Sequence, residues 1–403
     1  MTTRAARFEV AIVGGGLVGM ISALLLADLG LEVVLIDPLT QLPARDEPFD
    51  LRTYALTPAS RQILERAGVW VGLDHARIAT FEAIEVWDGL GPGALHFAPP
   101  VAGTGPLAYL VEQANLLNAC QRALATRTTL SDLAGQVSAL NANDQECVLQ
   151  LADGRELRVA LVLACDGADS PLREMCGFEV DEKSYNQQAI VANVTTTLAH
   201  DRIARQRFLP NGPLALLPLP PANQAAVVWT TTAEQAAWAT TCSDEEFCAS
   251  LGQAFEERLG PVLATSRRVS FALRRQHARH YARGRVALLG DAAHVIHPLA
   301  GQGLNLGLLD AAALAEILRT CERAAVRHPQ SLLQRYGRAR RGANLLMLTL
   351  TDQLNRVFAQ THPALVWLRN TGLNLTERWS PLKHALLSHA TGNAGSDPLR
   401  NQS

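Results

Sequence analysis

The N-terminal segment alternates apolar runs with glycine-rich turns. Residues 8–13 and 32–36 are two short apolar runs, and a longer apolar segment between them covers residues 17–29. Short runs of this kind predict buried strands, whereas the longer segment predicts a helix. A strand, a helix and a second strand within about 30 residues form a βαβ unit, which favours a parallel sheet.

Other patterns follow along the chain. Alternating apolar and polar positions around glycine turns predict antiparallel hairpins at 78–97 and 147–159, and a short buried strand follows at 161–164. Residues 185–275 are rich in strand patterns, with one helical pattern at 244–259. Helical periodicity marks three further segments, which are 58–67, 111–124 and most of 308–388.

Charge and composition exclude several classes of function. The 403 residues carry a net charge of −2, which gives no electrostatic basis for binding nucleic acid. Residues 274–285 are rich in arginine and histidine and are interpreted as a solvated loop.

The seven cysteines form no Cys-x-x-Cys pair and no zinc-type spacing, which favours free thiols in the cytoplasm and no bound metal. Glycines interrupt the apolar segment at 11–29, so we expect no membrane-spanning helix there, and peripheral contact with the inner membrane stays open.

The turn after the first predicted strand carries the pattern Gly14-x-Gly16-x-x-Gly19. Gly14 permits a tight turn, Gly16 lets the backbone approach a pyrophosphate, and Gly19 allows the helix to pack closely on the strand. Asp37 ends the second strand, where an acidic residue binds the ribose in many dinucleotide sites. Because strand, turn, helix and acid occur in this order, a dinucleotide site is favoured over an ordinary glycine-rich turn.

A second acidic turn follows the strand pattern at 161–164. It runs from Asp166 through Gly167 and Ser170 to Arg173. Ser170 can cap the helix that follows. Taken alone, this segment is typical of a strand-to-helix connection with a polar cap.

The most informative stretch of the chain lies between Gly290 and Gly307. Asp291 follows a buried strand pattern and can accept hydrogen bonds from the hydroxyls of a sugar-alcohol chain. The glycine-flanked start of the next helix offers free N–H groups and partial positive charge, which suit an electron-rich heterocycle. A reduced flavin carries both features, whereas a simple helix cap does not require a segment of this length and glycine content.

In this order the three motifs resemble those of the class A flavoprotein monooxygenases, over about residues 8–350. The HP-x-AGQG-x-NLG form of residues 297–307 is similar to that of the ubiquinone-biosynthesis hydroxylases. Further segments, such as 192–194 and 212–215, resemble the 2-polyprenyl-6-methoxyphenol hydroxylase branch. The resemblance implies an α/β fold like that of para-hydroxybenzoate hydroxylase.

The resemblance implies FAD as cofactor and assigns its ligands by position. The three glycines of the first motif would hold the pyrophosphate, Asp37 the adenosine ribose, and Asp291 the ribityl-pyrophosphate region. Val137 would lie beside the adenine. The isoalloxazine would be lined by Pro298, Gly301, Gln302, Gly303, Leu304 and Asn305.

Three further residues are implicated in the same way. Arg52 would lie near the flavin on the substrate side, and Gln113 would hydrogen bond to the cofactor without supplying charge. The turn at Asp166 is associated in these enzymes with both FAD and NAD(P)H. His294 and His297 are candidate acid–base residues, although helix-cap or packing roles are favoured for both.

The implied activity is the hydroxylation of a polyprenylphenol ring with O2, through a flavin C4a-hydroperoxide. NAD(P)H or another reductant would be a transient electron donor. Assembly with other quinone-biosynthesis enzymes and a homo-oligomer both stay open. The alternatives are an FAD monooxygenase of another phenol or aromatic acid, an FAD-dependent reductase without oxygen chemistry, and a non-catalytic assembly subunit.

The resemblance also divides the chain into domains. A discontinuous Rossmann-like FAD-binding domain would comprise residues 1–75, 105–182 and 281–350. A mainly antiparallel substrate-binding sheet domain would comprise residues 76–104 and 183–280. Residues 351–403 would form C-terminal helices and a frayed tail.

Overall fold

A computed structural model describes residues 6–38, 49–98, 105–298 and 301–378. The strands in these residues are β1 (Ala6–Val13), β2 (Val33–Asp37), β3 (Thr53–Leu56), β4 (Ala79–Phe81), β5 (Ala83–Asp88), β6 (Ala94–Phe97), β7 (Ala108–Glu112), β8 (Leu130–Ala134), β9 (Val137–Ala142), β10 (Cys147–Leu151), β11 (Glu156–Ala164), β12 (Val180–Thr196), β13 (Ile203–Leu209), β14 (Gly212–Pro218), β15 (Gln224–Thr231), β16 (Val262–Thr265), β17 (Val269–Ala278), β18 (Ala282–Arg283), β19 (Val286–Leu288) and β20 (His294–Val295). The helices are α1 (Leu17–Ala27), α2 (Pro58–Arg66), α3 (Gln113–Leu124), α4 (Pro171–Met175), α5 (Ala233–Thr241), α6 (Asp244–Ala254), α7 (Gly303–Arg319), α8 (Gln330–Phe358) and α9 (Pro363–Arg378). Single 3₁₀ turns lie at Trp70–Gly72, His75–Arg77, Gly290–Ala292 and Arg323–Arg327.

The first large sheet has a parallel centre in the order β19-β11-β1-β2-β8. Residues 10–13 of its central strand β1 are buried, because helices cover a parallel sheet on both faces. The crossover from β1 through α1 to β2 is the predicted βαβ unit, which is confirmed. Since these strands run in the same direction, their C-terminal ends all meet at one edge of the sheet.

The second large sheet has the order β20-β17-β12-β15-β14-β13-β5-β6, and β16 also pairs with β12. Its neighbours are antiparallel except for β13 and β5. One face packs on α5 and α6 around Trp229 and Phe247, which are buried. At its far end α9 is held by Arg369, whose Nε donates to the buried carboxylate of Asp88 at 2.7 Å. A third sheet, β3-β7-β4, completes the strands.

Helix α8 connects the two large sheets. Near its start, the Tyr336 hydroxyl donates to the carbonyl of Leu288 at the end of β19, at 2.8 Å. Near its end, Asp352 accepts a hydrogen bond from Lys183 on β12, at 3.3 Å. The 29-residue length of α8 is what allows one element to touch both sheets. None of the described helices is long and apolar enough to span a lipid bilayer.

The α/β fold class with an antiparallel sheet and a helical C-terminus is confirmed. The hairpins around 89–93 and 153–154 are also confirmed. The domain boundaries stay predictions. The frayed tail and most of the proline-rich segment at 38–49 lie outside the described residues.

Three predictions of secondary structure were wrong, and one helix was missed. Residues 274–278 are not a loop but the end of β17, where the charge of Arg274 is offset by Glu182 on the neighbouring strand. Residues 157–164 form one strand, because β11 pairs with β10 at one end and with β1 along its length. The helix predicted from residue 111 begins at Gln113, since the preceding residues pair as β7. Helix α5 was not predicted.

Candidate active site

The predicted motifs converge on one edge of the first sheet. β1 ends at Val13, β2 at Asp37, β11 at Ala164 and β19 at Leu288, and all four strands are parallel. Each strand leads directly into one of the predicted motif segments. In open α/β sheets the crevice beyond the carboxyl ends of the strands is the usual ligand site.

The glycines of the first turn are of two kinds: two are needed because a side chain would clash with the backbone, and one faces open space. Gly14 has φ +109°, and a Cβ there would lie 2.3 Å from the carbonyl oxygen of Cys165. A Cβ on Gly19 would lie 1.9 Å from the carbonyl oxygen of Gly14. A Cβ on Gly16 would meet nothing within 4 Å. Gly14 and Gly19 are therefore needed to close the turn, whereas Gly16 leaves room for a ligand.

Asp37 braces this turn. Its Oδ2 accepts a hydrogen bond from the N–H of Gly15 at 2.5 Å, and a Cβ on Gly15 would lie 2.9 Å from the Asp37 side chain. Asp37 pairs with Ala134 on β8, and the buried Val137 follows three residues later. The N–H of Gly135 also donates to the carbonyl of Asp37 at 3.0 Å, which places the chain just before Val137 beside the end of β2. Their predicted contacts with ribose and adenine stay predictions.

The segment at Asp166 is a polar cap, as favoured from its sequence. The Ser170 hydroxyl donates to Asp166 and accepts from the N–H of Arg173 at 3.0 Å. Asp166 also accepts from the N–H of Leu172 at 3.0 Å. The buried Arg173 then donates to the carbonyl of Ala292 at 3.1 Å. This bond ties the second motif to the third, while contact of Asp166 with a nucleotide stays a prediction.

Asp291 presents an unused acceptor to the cleft. It lies in the 3₁₀ turn Gly290–Ala292, its side chain reaches solvent, and it accepts no hydrogen bond from any described residue. The protein atoms packed around it raise the pKa of its carboxyl, and the nearby charges of His294, Arg52 and Arg274 partly oppose that rise. A carboxylate with free lone pairs at a strand end can bind the hydroxyls of a ligand.

Arg52 and Gln113 lie on the same side of the cleft. The N–H of Gln113 donates to the carbonyl of Arg52 at 2.9 Å, and the Gln113 Oε1 accepts from the Tyr54 hydroxyl at 2.8 Å. Burial raises the pKa of Tyr54. The nearby charge of Arg52 lowers this pKa and that of Asp291 raises it, so both side chains lie close to the Tyr54 hydroxyl. The structure therefore brings together three predicted residues, Arg52, Gln113 and Asp291. Tyr54 was missed, because a tyrosine in a short strand gives no sequence signal for a site.

The start of α7 faces the same cleft. The first helical hydrogen bond runs from Leu306 N to Gln302 O, so the N–H groups of Gly303, Leu304 and Asn305 precede the helical pattern. These groups and the helix dipole favour negative charge at this position. Gly301 donates to the carbonyl of Pro298 at 3.0 Å, and residues 299–300 lie outside the described residues.

The Asn305 side chain anchors this helix start within the protein. Its Oδ1 accepts from the N–H of Thr57 at 3.1 Å and from the Ser60 hydroxyl at 2.7 Å. Its Nδ2 donates to the carbonyl of Ala55 at 2.9 Å. Asn305 therefore contributes to the site by fixing α7 against α2 and β3. Of the Asn305 polar groups, only the backbone N–H at the start of α7 is left for a ligand.

Asp310 lies beneath the cleft and is fully buried. Its oxygens accept from His294 Nε2 at 2.6 Å, Arg340 Nε at 2.8 Å, Asn344 Nδ2 at 3.0 Å and the N–H of Gly290 at 3.2 Å. Burial alone would raise the pKa of Asp310, but the attraction of His294 and Arg340 outweighs it and lowers this pKa to about 2. The carboxylate thus fixes the backbone that carries Asp291.

Sequence reasoning missed the role of this network. The available signal was a lone carboxylate on the otherwise apolar start of α7, which needs a buried partner. His294 has a packing and hydrogen-bonding role here, as favoured from the sequence. His297 packs edge-on against Tyr185, with ring centroids 4.9 Å apart, and burial lowers its pKa to about 4.

Known proteins share this architecture. Residues 7–349 match the family model described as FAD binding domain. The chain belongs to this family. Ubiquinone hydroxylase UbiL of Rhodospirillum rubrum is 37% identical over 396 residues, with 97% of this chain and 92% of the relative covered. The 3-demethoxyubiquinol 3-hydroxylase of Escherichia coli is 34% identical, with 95% and 98% covered.

Solved structures share the fold at lower identity. The p-nitrophenol 4-monooxygenase PnpA of Pseudomonas putida superposes with a TM-score of 0.76 at 23% identity and covers 96% of this chain and 98% of its own. HpxO of Klebsiella pneumoniae, solved with FAD and uric acid, has a TM-score of 0.73 at 18% identity, with 97% and 98% covered. The predicted family and the FAD cofactor are confirmed by the family match and by the relatives.

The cleft residues fit FAD chemically. The open space at Gly16 suits a pyrophosphate, and the unused carboxylate of Asp291 suits the hydroxyls of the ribityl chain. The N–H groups at the start of α7 suit the electron-rich ring. Which atoms of FAD each residue contacts stays a prediction.

The variant Asp310→Ala is expected to lower the free energy of unfolding by about 3–5 kcal/mol, because Arg340 would remain buried without its counter-charge. The pKa of Asp310 is depressed to about 2, below the value of about 3.9 expected in the unfolded chain. Its stabilisation is therefore full above pH of about 4 and is lost as the pH falls through about 2. Urea unfolding of the variant and the parent chain across this range measures both effects.

Asp153→Ala is the matched control, because Asp153 forms an exposed ion pair with Arg155. It should leave the free energy of unfolding unchanged. Equal losses of stability in the two variants would contradict the role assigned to Asp310.

Proposed function

We propose that this chain is an FAD-dependent hydroxylase of ubiquinone biosynthesis, which inserts one oxygen atom of O2 into the ring of a polyprenylphenol. The observation that carries the proposal is the match, over 97% and 95% of the chain, to two relatives whose names describe hydroxylases of ubiquinone and demethoxyubiquinol. The 2-polyprenyl-6-methoxyphenol branch is the substrate class we propose within this group. An FAD monooxygenase of another phenol is the second candidate, and the experiments below separate the two.

FAD, once reduced by NAD(P)H or another donor, supplies the activation of O2 for transfer of one oxygen atom. The protein has three tasks around it. The start of α7 would stabilise negative charge on the reduced ring through its free N–H groups and helix dipole. Asp291, placed by the Asp310 network, would accept hydrogen bonds from the ribityl chain. The site must also exclude water from the reacting ring.

The substrate ring requires an apolar surface beside the segment that begins at Pro298 and includes Gly301 and Gln302, called here the flavin loop. Leu214, Leu216 and Trp229 belong to the core under α5 and α6 and are therefore not available to line such a surface. Leu217 faces the other side of the sheet, in a separate apolar cluster with Leu219, Ala226, Phe49 and Ala55. Ala55 also lies against the flavin loop, since a Cβ on Gly301 would be 3.4 Å from its methyl group.

Asn193 adds one polar atom to this apolar surface. It pairs across the sheet with Ala226, so both side chains project from the same face. Its Nδ2 donates to the carbonyl of Phe49 at 3.1 Å. Its Oδ1 is buried and accepts no hydrogen bond from any described residue. A buried acceptor in an apolar surround suits the hydroxyl of a phenol.

Asn193→Leu is expected to lower kcat/KM for a short-chain polyprenylphenol roughly tenfold to hundredfold, because the ring hydroxyl would lose its acceptor. The affinity for FAD should not change. Steady-state turnover and FAD titration of the same preparation measure the two quantities. Thr195→Val, two residues along the same strand, is the control. Turnover that falls equally in both variants, or in neither, would refute the assignment.

The function itself is tested by deleting the gene for this chain and profiling quinone intermediates by mass spectrometry. Ubiquinone should fall and a polyprenylphenol that lacks one ring hydroxyl should accumulate. Accumulation of 2-polyprenyl-6-methoxyphenol would support the proposed branch, and incorporation of one ¹⁸O atom from ¹⁸O2 by the purified enzyme would exclude a reductase. Unchanged ubiquinone in the deletion strain would refute the proposal.

A further inference from the structure

The outward face of α8 carries a stripe of exposed apolar side chains. Leu346 is 51% exposed, and Leu350, Leu354 and Val357 are each 45% exposed. Their spacing of four, four and three residues places them on one side of the helix. Large apolar side chains aligned in this way on a soluble surface mark an interaction site.

The inward face of the same helix reaches the candidate active site. Leu348 is buried in a cluster with Ile296 and Leu306, which flank the flavin loop. Arg340, two turns earlier, donates to Asp310. The stripe and the flavin loop are thus separated by one helix, about 10 Å across. Whatever covers the stripe lies close to the cleft.

Positive charge is concentrated on α8. The helix contains five arginines and one aspartate, although the whole chain has a net charge of −2. Arg335, Arg338 and Arg341 are exposed and form no ion pair with any described residue. Arg356 borders the stripe and remains 53% exposed beside Asp352. With about 3.6 residues per turn, Arg338 and Arg356 lie along one margin of the stripe, and Arg335 continues its line toward the start of the helix. Arg341 lies on the opposite side of the helix and does not border the stripe.

We propose that this face of α8 docks on the surface of an anionic lipid bilayer. Apolar side chains bordered by arginines match a helix that lies in a membrane interface, where each basic residue gains from anionic headgroups. A second copy of the chain is the alternative occupant, and the outcomes of the test below distinguish it from a bilayer. Membrane binding itself does not depend on the proposed function. Its advantage does, since a polyprenyl substrate resides in the bilayer and docking would bring the cleft close to it.

Flotation of the full-length, FAD-loaded protein with phosphatidylcholine vesicles, with and without phosphatidylglycerol, tests the proposal. Binding should require phosphatidylglycerol and should weaken with added salt. The double variant Leu350→Gln, Leu354→Gln should weaken binding roughly tenfold. Each of Arg335→Gln and Arg338→Gln should weaken it roughly fivefold. Leu263→Gln, which alters a 62% exposed leucine on β16, is the control and should bind as the parent chain does.

Four outcomes would overturn the proposal. The first is a parent chain that does not float with the vesicles, and the second is α8 variants that float as well as the control. A dimer that the leucine variant dissociates, without vesicle binding, would assign the stripe to a second copy. Vesicle binding that requires truncation after residue 378 would assign it to the chain's own C-terminal segment. Turnover of detergent-dispersed substrate by the leucine variant separates this test from that of the proposed function, since docking is not needed there.

Discussion

The cleft depends on one buried carboxylate. Asp310, on the first turns of α7, binds the backbone of Gly290, the ring of His294 and the guanidinium of Arg340. A charge buried this deeply is costly unless every lone pair has a donor, so the segment after β19 and helix α8, which supply the donors, must adopt one arrangement with α7. The end of β19, the start of α7 and the middle of α8 are thereby fixed together. The unpartnered carboxylate of Asp291 is placed by that arrangement.

The residues of the cleft are of two kinds: some make contacts within the protein, and others leave space or an unused hydrogen-bond acceptor for a ligand. Gly14 and Gly19 close the first turn, the Asn305 side chain anchors α7, and Ser170 satisfies Asp166. In contrast, Gly16 faces open space and Asp291 has no described partner. A site in which the supporting groups are satisfied internally is held in place before the ligand arrives. Such preorganisation is what electrostatic stabilisation of a charged flavin requires.

Much of this could be predicted from the sequence because the motifs are local. The spacing of Gly14, Gly16 and Gly19 after a strand predicts the βαβ unit, and the sequence motif of residues 297–307 points to the family that the family match confirms. The supporting contacts are not local. Arg340 lies 30 residues from Asp310, and Thr57 lies 248 residues from Asn305. Nothing in a single sequence pairs such residues. The end of β17 was likewise missed because its charges are balanced across strands and not along one.

The central claim is that the edge of the first sheet where β1, β2, β11 and β19 end binds FAD. The binding groups there are ones that form no hydrogen bond within the described part of the protein. Titration of the Asp291→Ala apoprotein with FAD, alongside its urea unfolding, tests this most directly. Since Asp291 bonds to no described residue, the free energy of unfolding of the apoprotein should be unchanged. The Kd for FAD should rise roughly tenfold to hundredfold, as expected for the loss of hydrogen bonds to a charged group. A variant that binds FAD with the parent Kd and full flavin occupancy would contradict the account.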